Sequence, residues 1–187
     1  MKNNSQLQRG FTVVELLVAM GVFIVVIGMV SNIFVNSLRN QQATVALMLA
    51  NDNASSALEQ MYRELRTGGD FTIMPANVLA ASGDAIRFTN ASDETVVYRK
   101  NGFAVERGVC DPLPSVCDSL ENHYVYLPLT AKGVVVASLQ FYIVSQFSSF
   151  GSSWPPRITI ALSVGAPGPS TKGAQTNLQT TVSALNL

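Results

Sequence analysis

Apolar positions along this chain change their spacing twice. From Phe11 to Val35 they are almost continuous, interrupted only by Thr12, Glu15, Ser31 and Asn32, and the stretch from Leu16 to Val30 holds no charged or strongly polar side chain. Beyond Val35 they thin out to one helical face: Ala43, Ala46, Leu47, Ala50, Ala54, Ala57, Leu58, Met61 and Leu65 recur mostly three and four residues apart. From residue 85 onward the helical period gives way to short β-like runs at 85–89, 95–100, 103–107, 124–127, 134–144, 157–164 and 178–185, separated by turn residues.

The first pattern predicts a membrane helix. About 25 residues at ~1.5 Å rise reach roughly 37 Å, enough to cross a ~30 Å hydrocarbon layer with some tilt. That is longer than the apolar stretch of a cleaved secretory signal, and no small-x-small cleavage site follows it, so the segment should stay attached. Gly21 and Gly28 lie on similar sides of it, either to permit close helix approach or because glycine is common in membrane helices. The helix should continue as an amphipathic rod, weakened at Asn51, Asp52 and Asn53 and stopped by Gly68 and Gly69. From Phe11 to Thr67 it would measure roughly 85 Å.

In the β-like half, Asn101-Gly102 predicts a two-residue hairpin turn. Arg157, Thr159 and Ala161 alternate with Ile158, Ile160 and Leu162, so one face of that strand should be buried, most simply against the second half of the helix. The fold class expected is α+β: a long N-terminal transmembrane and amphipathic helix packed on a mostly antiparallel β-sheet, in the form of a ladle. Residues 1–10 would be a cytoplasmic leader, 11–35 the transmembrane helix, 36–67 its amphipathic continuation and 68–187 an extracytoplasmic β-rich domain.

Composition narrows the function. Charged residues make up 13% of the chain against 48% hydrophobic, about half the usual charged share, which fits a segment that avoids water. With a net charge of zero and no basic run, nothing supports nucleic-acid binding through phosphates, and no nucleic acid is expected. One histidine, His123, and two cysteines are too few ligands for a zinc site. No nucleophile elbow, phosphate loop or catalytic carboxylate pair is present, and His123 has no acid or serine arranged as a relay. No enzymatic activity is expected.

Glu15 is the residue out of place. An ionisable group near the start of an apolar span is costly unless it has a partner or reaches the membrane surface. Its surroundings are ordered: a leader carrying Lys2 and Arg9 and no acid, then Gly10, Phe11, Thr12, Val13, Val14 and Glu15, then the apolar run. Cations on that side of the span should hold the N-terminus in the cytoplasm. The arrangement resembles the type III signal of type IV prepilins. The resemblance implies cleavage after Gly10 by a membrane-embedded prepilin peptidase, N-methylation of the new terminal Phe11, and a role for Glu15 as the fifth residue of the mature chain. The Glu15 carboxylate of one subunit could then meet the Phe11 amine of its neighbour in an apolar setting, where attraction is strong and an out-of-register neighbour leaves both charges unpaired. Loss of Lys2 and Arg9 would leave two more acidic than basic side chains, and would ease extraction of the helix from the bilayer.

The order of the later parts narrows the resemblance. The helix end Leu58, Glu59, Gln60, Met61, Tyr62, Arg63, Glu64, Leu65, Arg66, the following strands and hairpin, Glu106-Arg107, and the late segment Gln179, Thr180, Thr181, Val182, Ser183 look like the J-type minor pseudopilins of type II secretion and the related W-type minor pilins. Ala184 and Leu185 stand where that closing strand would carry a basic residue. The resemblance implies a minor subunit assembled by helix packing into a type IV pilus or a type II secretion pseudopilus, in initiation or at the tip. Its partners would be other pilin or pseudopilin subunits, the prepilin peptidase and an inner-membrane assembly platform. It would reside in the cytoplasmic membrane and then in a periplasmic or cell-surface filament. The alternative is a filament-borne or membrane-anchored binding module for a surface, DNA or secreted cargo.

Cys110 and Cys117 bracket a loop with Pro112 and Pro114. Outside the cytoplasm a local disulfide between them is expected, contributing about 2–3 kcal/mol, with two free thiols as the alternative. No cofactor is expected. Asp111, Asp118 and Glu121 offer oxygen ligands of the kind calcium takes, and the resemblance implies calcium in some pseudopilins, but no full calcium loop surrounds them and solvated acids on a turn also explain them. Phe147, Phe150 and Trp154, among serines and glycine, form an aromatic loop that reads equally as a contact surface or as a lid on the domain's own core. Residues 166–176, rich in Pro, Gly, Ser and Thr, read as a connection before the last strand.

Overall fold

The computed structural model describes residues 10–74, 82–110, 123–144, 155–167 and 174–185. Helix α1, Val13–Thr67, runs through two compact units, Met1–Gln42 and Ala43–Leu187.

Within the first unit every described residue is exposed. Phe23, Ile24, Met29, Ile33 and Phe34 are between 62% and 70% exposed. One polar interruption is absorbed by the helix itself, because the Ser31 hydroxyl donates to the Ile27 carbonyl at 2.8 Å. Among the described residues, α1 is the one helix long and apolar enough to cross a membrane.

The second unit is built on the amphipathic half of α1. Ala50, Ala54, Ala57, Leu58, Met61 and Leu65 are buried, and Ala46 and Leu47 pack against the same core. The helix ends at Thr67, where the glycine pair was expected to stop it. Gly68 is needed there for close approach, since a Cβ would lie 2.7 Å from Phe88 Cδ2 and 2.9 Å from the Thr89 carbonyl oxygen.

Among the described residues nine strands follow: β1 Gly69–Met74, β2 Ser82–Gly83, β3 Ala85–Thr89, β4 Thr95–Asn101, β5 Ala104–Cys110, β6 Tyr124–Pro128, β7 Val135–Val144, β8 Arg157–Gly165 and β9 Gln175–Ser183. The α+β class is as expected, and the strands divide between two antiparallel sheets, one ordered β1-β3-β4-β5-β6 and the other β2-β7-β8-β9. Strands β1 and β2 were not foreseen: β1 follows directly on the helix stop with a bulge between Gly69 and Thr72, and the two residues of β2 are too short to show any alternation. The last strand starts and ends earlier than the 178–185 run suggested, because Gln175, Thr176 and Asn177 pair with β8 although their side chains are polar.

The hairpin turn is displaced by one residue from Asn101-Gly102. Asn101 pairs with Ala104 in the ladder and its amide donates to Glu106 at 3.1 Å, so the turn residues are Gly102 and Phe103, with Gly102 at φ 56°. Glycine supplies the left-handed conformation at the first turn position.

The apolar alternation of β8 points inward as expected: Ile158, Ile160 and Leu162 join one core with Ala54, Met61, Leu65, Phe88, Tyr98 and Phe141. Hydrogen bonds past β6 tie the β6–β7 link and the start of β7 to the β4–β5 hairpin. Leu129 N–H donates to the Val105 carbonyl and Val136 N–H to the Phe103 carbonyl, and the buried Thr130 hydroxyl accepts from Val105 N–H at 3.1 Å. After β9, Leu185 N–H donates at 2.8 Å to the Arg66 carbonyl, one of the acceptors that a helix end leaves without an internal partner.

Candidate processing and assembly site

Gly10, Phe11 and Thr12 precede the first helical residue, and Phe11 is 85% exposed. Thr12 starts the helix. Its carbonyl accepts from Leu16 N–H at 3.2 Å, and its hydroxyl oxygen accepts from Glu15 N–H at 3.3 Å. Those two bonds make Thr12 the N-cap and Glu15 the third helical residue, the positions of a Thr-x-x-Glu capping sequence. The signal for this cap is local, a threonine at 12 and a glutamate at 15 ahead of an apolar run.

Glu15 lies in the first turn of α1, where the aligned peptide dipoles favour a negative charge. The helix itself therefore offsets part of the cost of an acid in an apolar run. Among the described residues no cation of the same chain pairs with it. The structure thus brings Gly10, Phe11 and Glu15 to one end of the apolar helix, with the peptide bond between Gly10 and Phe11 outside the helix and the acid one turn inside it.

A second polar cluster holds the globular unit together. Tyr98 on β4 donates its hydroxyl to Glu64 Oε2 at 2.8 Å, and Arg107 on β5 donates Nε–H to both Glu64 oxygens at 3.1 Å. Burial, then the hydrogen bond and charge of Glu64, push the Tyr98 phenol well above its ordinary range. Burial alone would lower Arg107, but the hydrogen bond and charge of Glu64 outweigh it and the guanidinium is held more firmly protonated. Sequence gave no local signal for this cluster, since its members lie 34 and 43 residues apart. On the other face, Glu106 accepts from Arg99 at 3.0 Å, and the Arg99 guanidinium carbon sits 3.4 Å from the centroid of the Tyr126 ring.

Cys110, at the end of β5, is disulfide-bonded; its expected partner Cys117 lies outside the described residues, as do Asp111, Asp118, Glu121, Phe147, Phe150 and Trp154. Among the described residues no cluster of three or more His, Cys, Asp or Glu side chains could hold a metal. His123 is exposed, with φ 80°.

Residues 5–31 match the family described as the prokaryotic N-terminal methylation motif. That span contains Gly10, Phe11, Thr12 and Glu15 and most of the exposed apolar helix. No curated protein and no solved structure matches the chain. The prepilin-type motif and the long apolar helix are consistent with a type IV pilin-like protein and fit a pilin anchored in the inner membrane.

Proposed function

We propose that this pilin-like chain is a minor pilin or pseudopilin, cut between Gly10 and Phe11 by a prepilin peptidase, N-methylated at Phe11 and built into a filament by lateral packing of α1. The observation that carries the reading is the conjunction at one end of the chain: a methylation motif over residues 5–31 on a helix whose apolar side chains are exposed. An apolar helix of this kind is stable in a bilayer or among other helices, and a filament supplies the second environment. The N-terminus starts in the cytoplasm and the β-sheets lie outside it, in line with Lys2 and Arg9 before the span and the disulfide-bonded Cys110 beyond it.

The role is assembly and not catalysis. The minor, J-type or W-type assignment draws on the helix end and the hairpin, where Glu64 and Arg107 are joined by a hydrogen-bonded ion pair. Intact-mass and N-terminal analysis of the protein from its native host tests processing: a chain starting at N-methylated Phe11 is expected, and one that retains residues 1–10 refutes the reading. Deleting the gene tests the role, with loss of all filaments expected. Intact filaments that no longer bind a surface or cargo would favour the binding module instead.

A further inference from the structure

We infer that Thr12 positions the scissile bond for processing, by ending the helix one residue short of it. The inference rests on the proposed cleavage between Gly10 and Phe11. In an uninterrupted α-helix the Glu15 N–H would donate to the carbonyl four residues earlier, that of Phe11. Here the Thr12 hydroxyl takes that proton at 3.3 Å, while the first regular helical bond runs from Leu16 N–H to the Thr12 carbonyl at 3.2 Å. The Phe11 carbonyl is not drawn into the helix, and Gly10 and Phe11 remain outside it.

The surroundings make this interception consequential. From Val13 to Val30 every side chain but that of Glu15 is apolar, and all are exposed; in a bilayer an N–H without a partner is costly, so a helix there grows until its donors are satisfied. Thr12 satisfies one of those donors with its side chain and removes the incentive for the helix to extend backward over Phe11. Hydrolysis needs that segment free: water adds across the Gly10–Phe11 amide, its hydroxyl going to the Gly10 carbonyl carbon and a proton to the Phe11 nitrogen, which leaves as an amine. A peptidase that reads an extended strand can use only the fraction of chains in which this bond is outside the helix, and its apparent affinity falls with that fraction.

The test is cleavage of the full chain, in membranes or detergent, by a prepilin peptidase, with leader release followed by mass. Thr12→Ala removes the hydroxyl and inserts the best helix former. It should raise KM roughly 5-fold with kcat little changed, whereas Thr12→Ser and Thr12→Asn, both N-cap residues, should be cut like the natural chain. Cleavage of Thr12→Ala with unaltered KM overturns the inference while leaving the processing reading intact. So does equal slowing in the Ser and Asn variants, which would make the threonine methyl, and not the cap, the feature recognised. A natural chain that is never cut overturns both.

Discussion

Glu64, in the last turn of α1, holds Arg107 of β5 by one N–H shared between its two carboxylate oxygens, each 3.1 Å away, while the Tyr98 hydroxyl closes on the same carboxylate at 2.8 Å. The Arg107 and Glu64 side chains are 20% and 25% exposed, so the pair is shielded enough to matter and wet enough to be tolerated. It fixes the helix against two neighbouring strands by direction, which apolar packing alone does not do.

Removing one member should cost more than the pair is worth. Glu64→Ala leaves a guanidinium and a phenol without their acceptor and should lower unfolding free energy by about 2–4 kcal/mol. Tyr98→Phe, which loses one hydrogen bond, should lower it by about 1 kcal/mol. Denaturant unfolding of the detergent-solubilised chain reads both, and a Glu64/Arg107 double-mutant cycle should give a coupling of about 1–2 kcal/mol. Additive effects would show the two residues to be independent.

The same cluster sets an alkaline limit. The Tyr98 folded-state pKa is raised above its ordinary value of 10.0. Below about pH 10 the phenol is protonated in both states and its contribution is complete; above that the unfolded chain releases the proton while the folded chain retains it, so stability falls with rising pH. Unfolding measured from about pH 8 to about pH 11.5 should show this decline, and Tyr98→Phe should make it shallower.

Two adjacent glycines should respond differently to alanine. A Cβ at Gly68 meets Phe88 Cδ2 at 2.7 Å, the Thr89 carbonyl oxygen at 2.9 Å and the Glu64 carbonyl oxygen at 3.2 Å, whereas one at Gly69 meets nothing within 4 Å. Gly68→Ala should therefore destabilise by about 1–3 kcal/mol. Gly69→Ala should stay within about 0.5 kcal/mol of the natural chain. Thermal unfolding of the two variants side by side distinguishes close approach from general loop flexibility.

Glu15→Ala separates processing from assembly. The cap at Thr12 takes the backbone N–H of Glu15 and not its carboxylate, so the leader should still be removed. Filament incorporation should fall about tenfold or more, equivalent to ~1.4 kcal/mol per subunit contact. Quantifying mature chain in membrane and filament fractions checks it; normal incorporation would end the register role proposed for the acid.

Much of the molecule was written locally. The apolar run, Gly10, Phe11 and Glu15, the helix stop at Thr67 and the strands with clear alternation such as β8 could be read because each depends on neighbours within a few residues. The hairpin turn slipped by one because Asn101 was claimed by Glu106 across the ladder, a pairing that turn chemistry alone does not contain.

By itself the sequence determined that one end of the chain is an apolar helix carrying a single acid and a prepilin-type signal, and that the rest is a β-rich unit fastened to the amphipathic half of that helix. Periodicity and spacing suffice for such statements because they are properties of contiguous residues. Tertiary structure alone decided that the strands divide into two sheets, that β1 pairs with β3, and that Glu64 gathers Tyr98 and Arg107 from 34 and 43 residues away. Those outcomes depend on which distant groups can be desolvated together with their hydrogen bonds satisfied, and that is settled only when the whole chain packs.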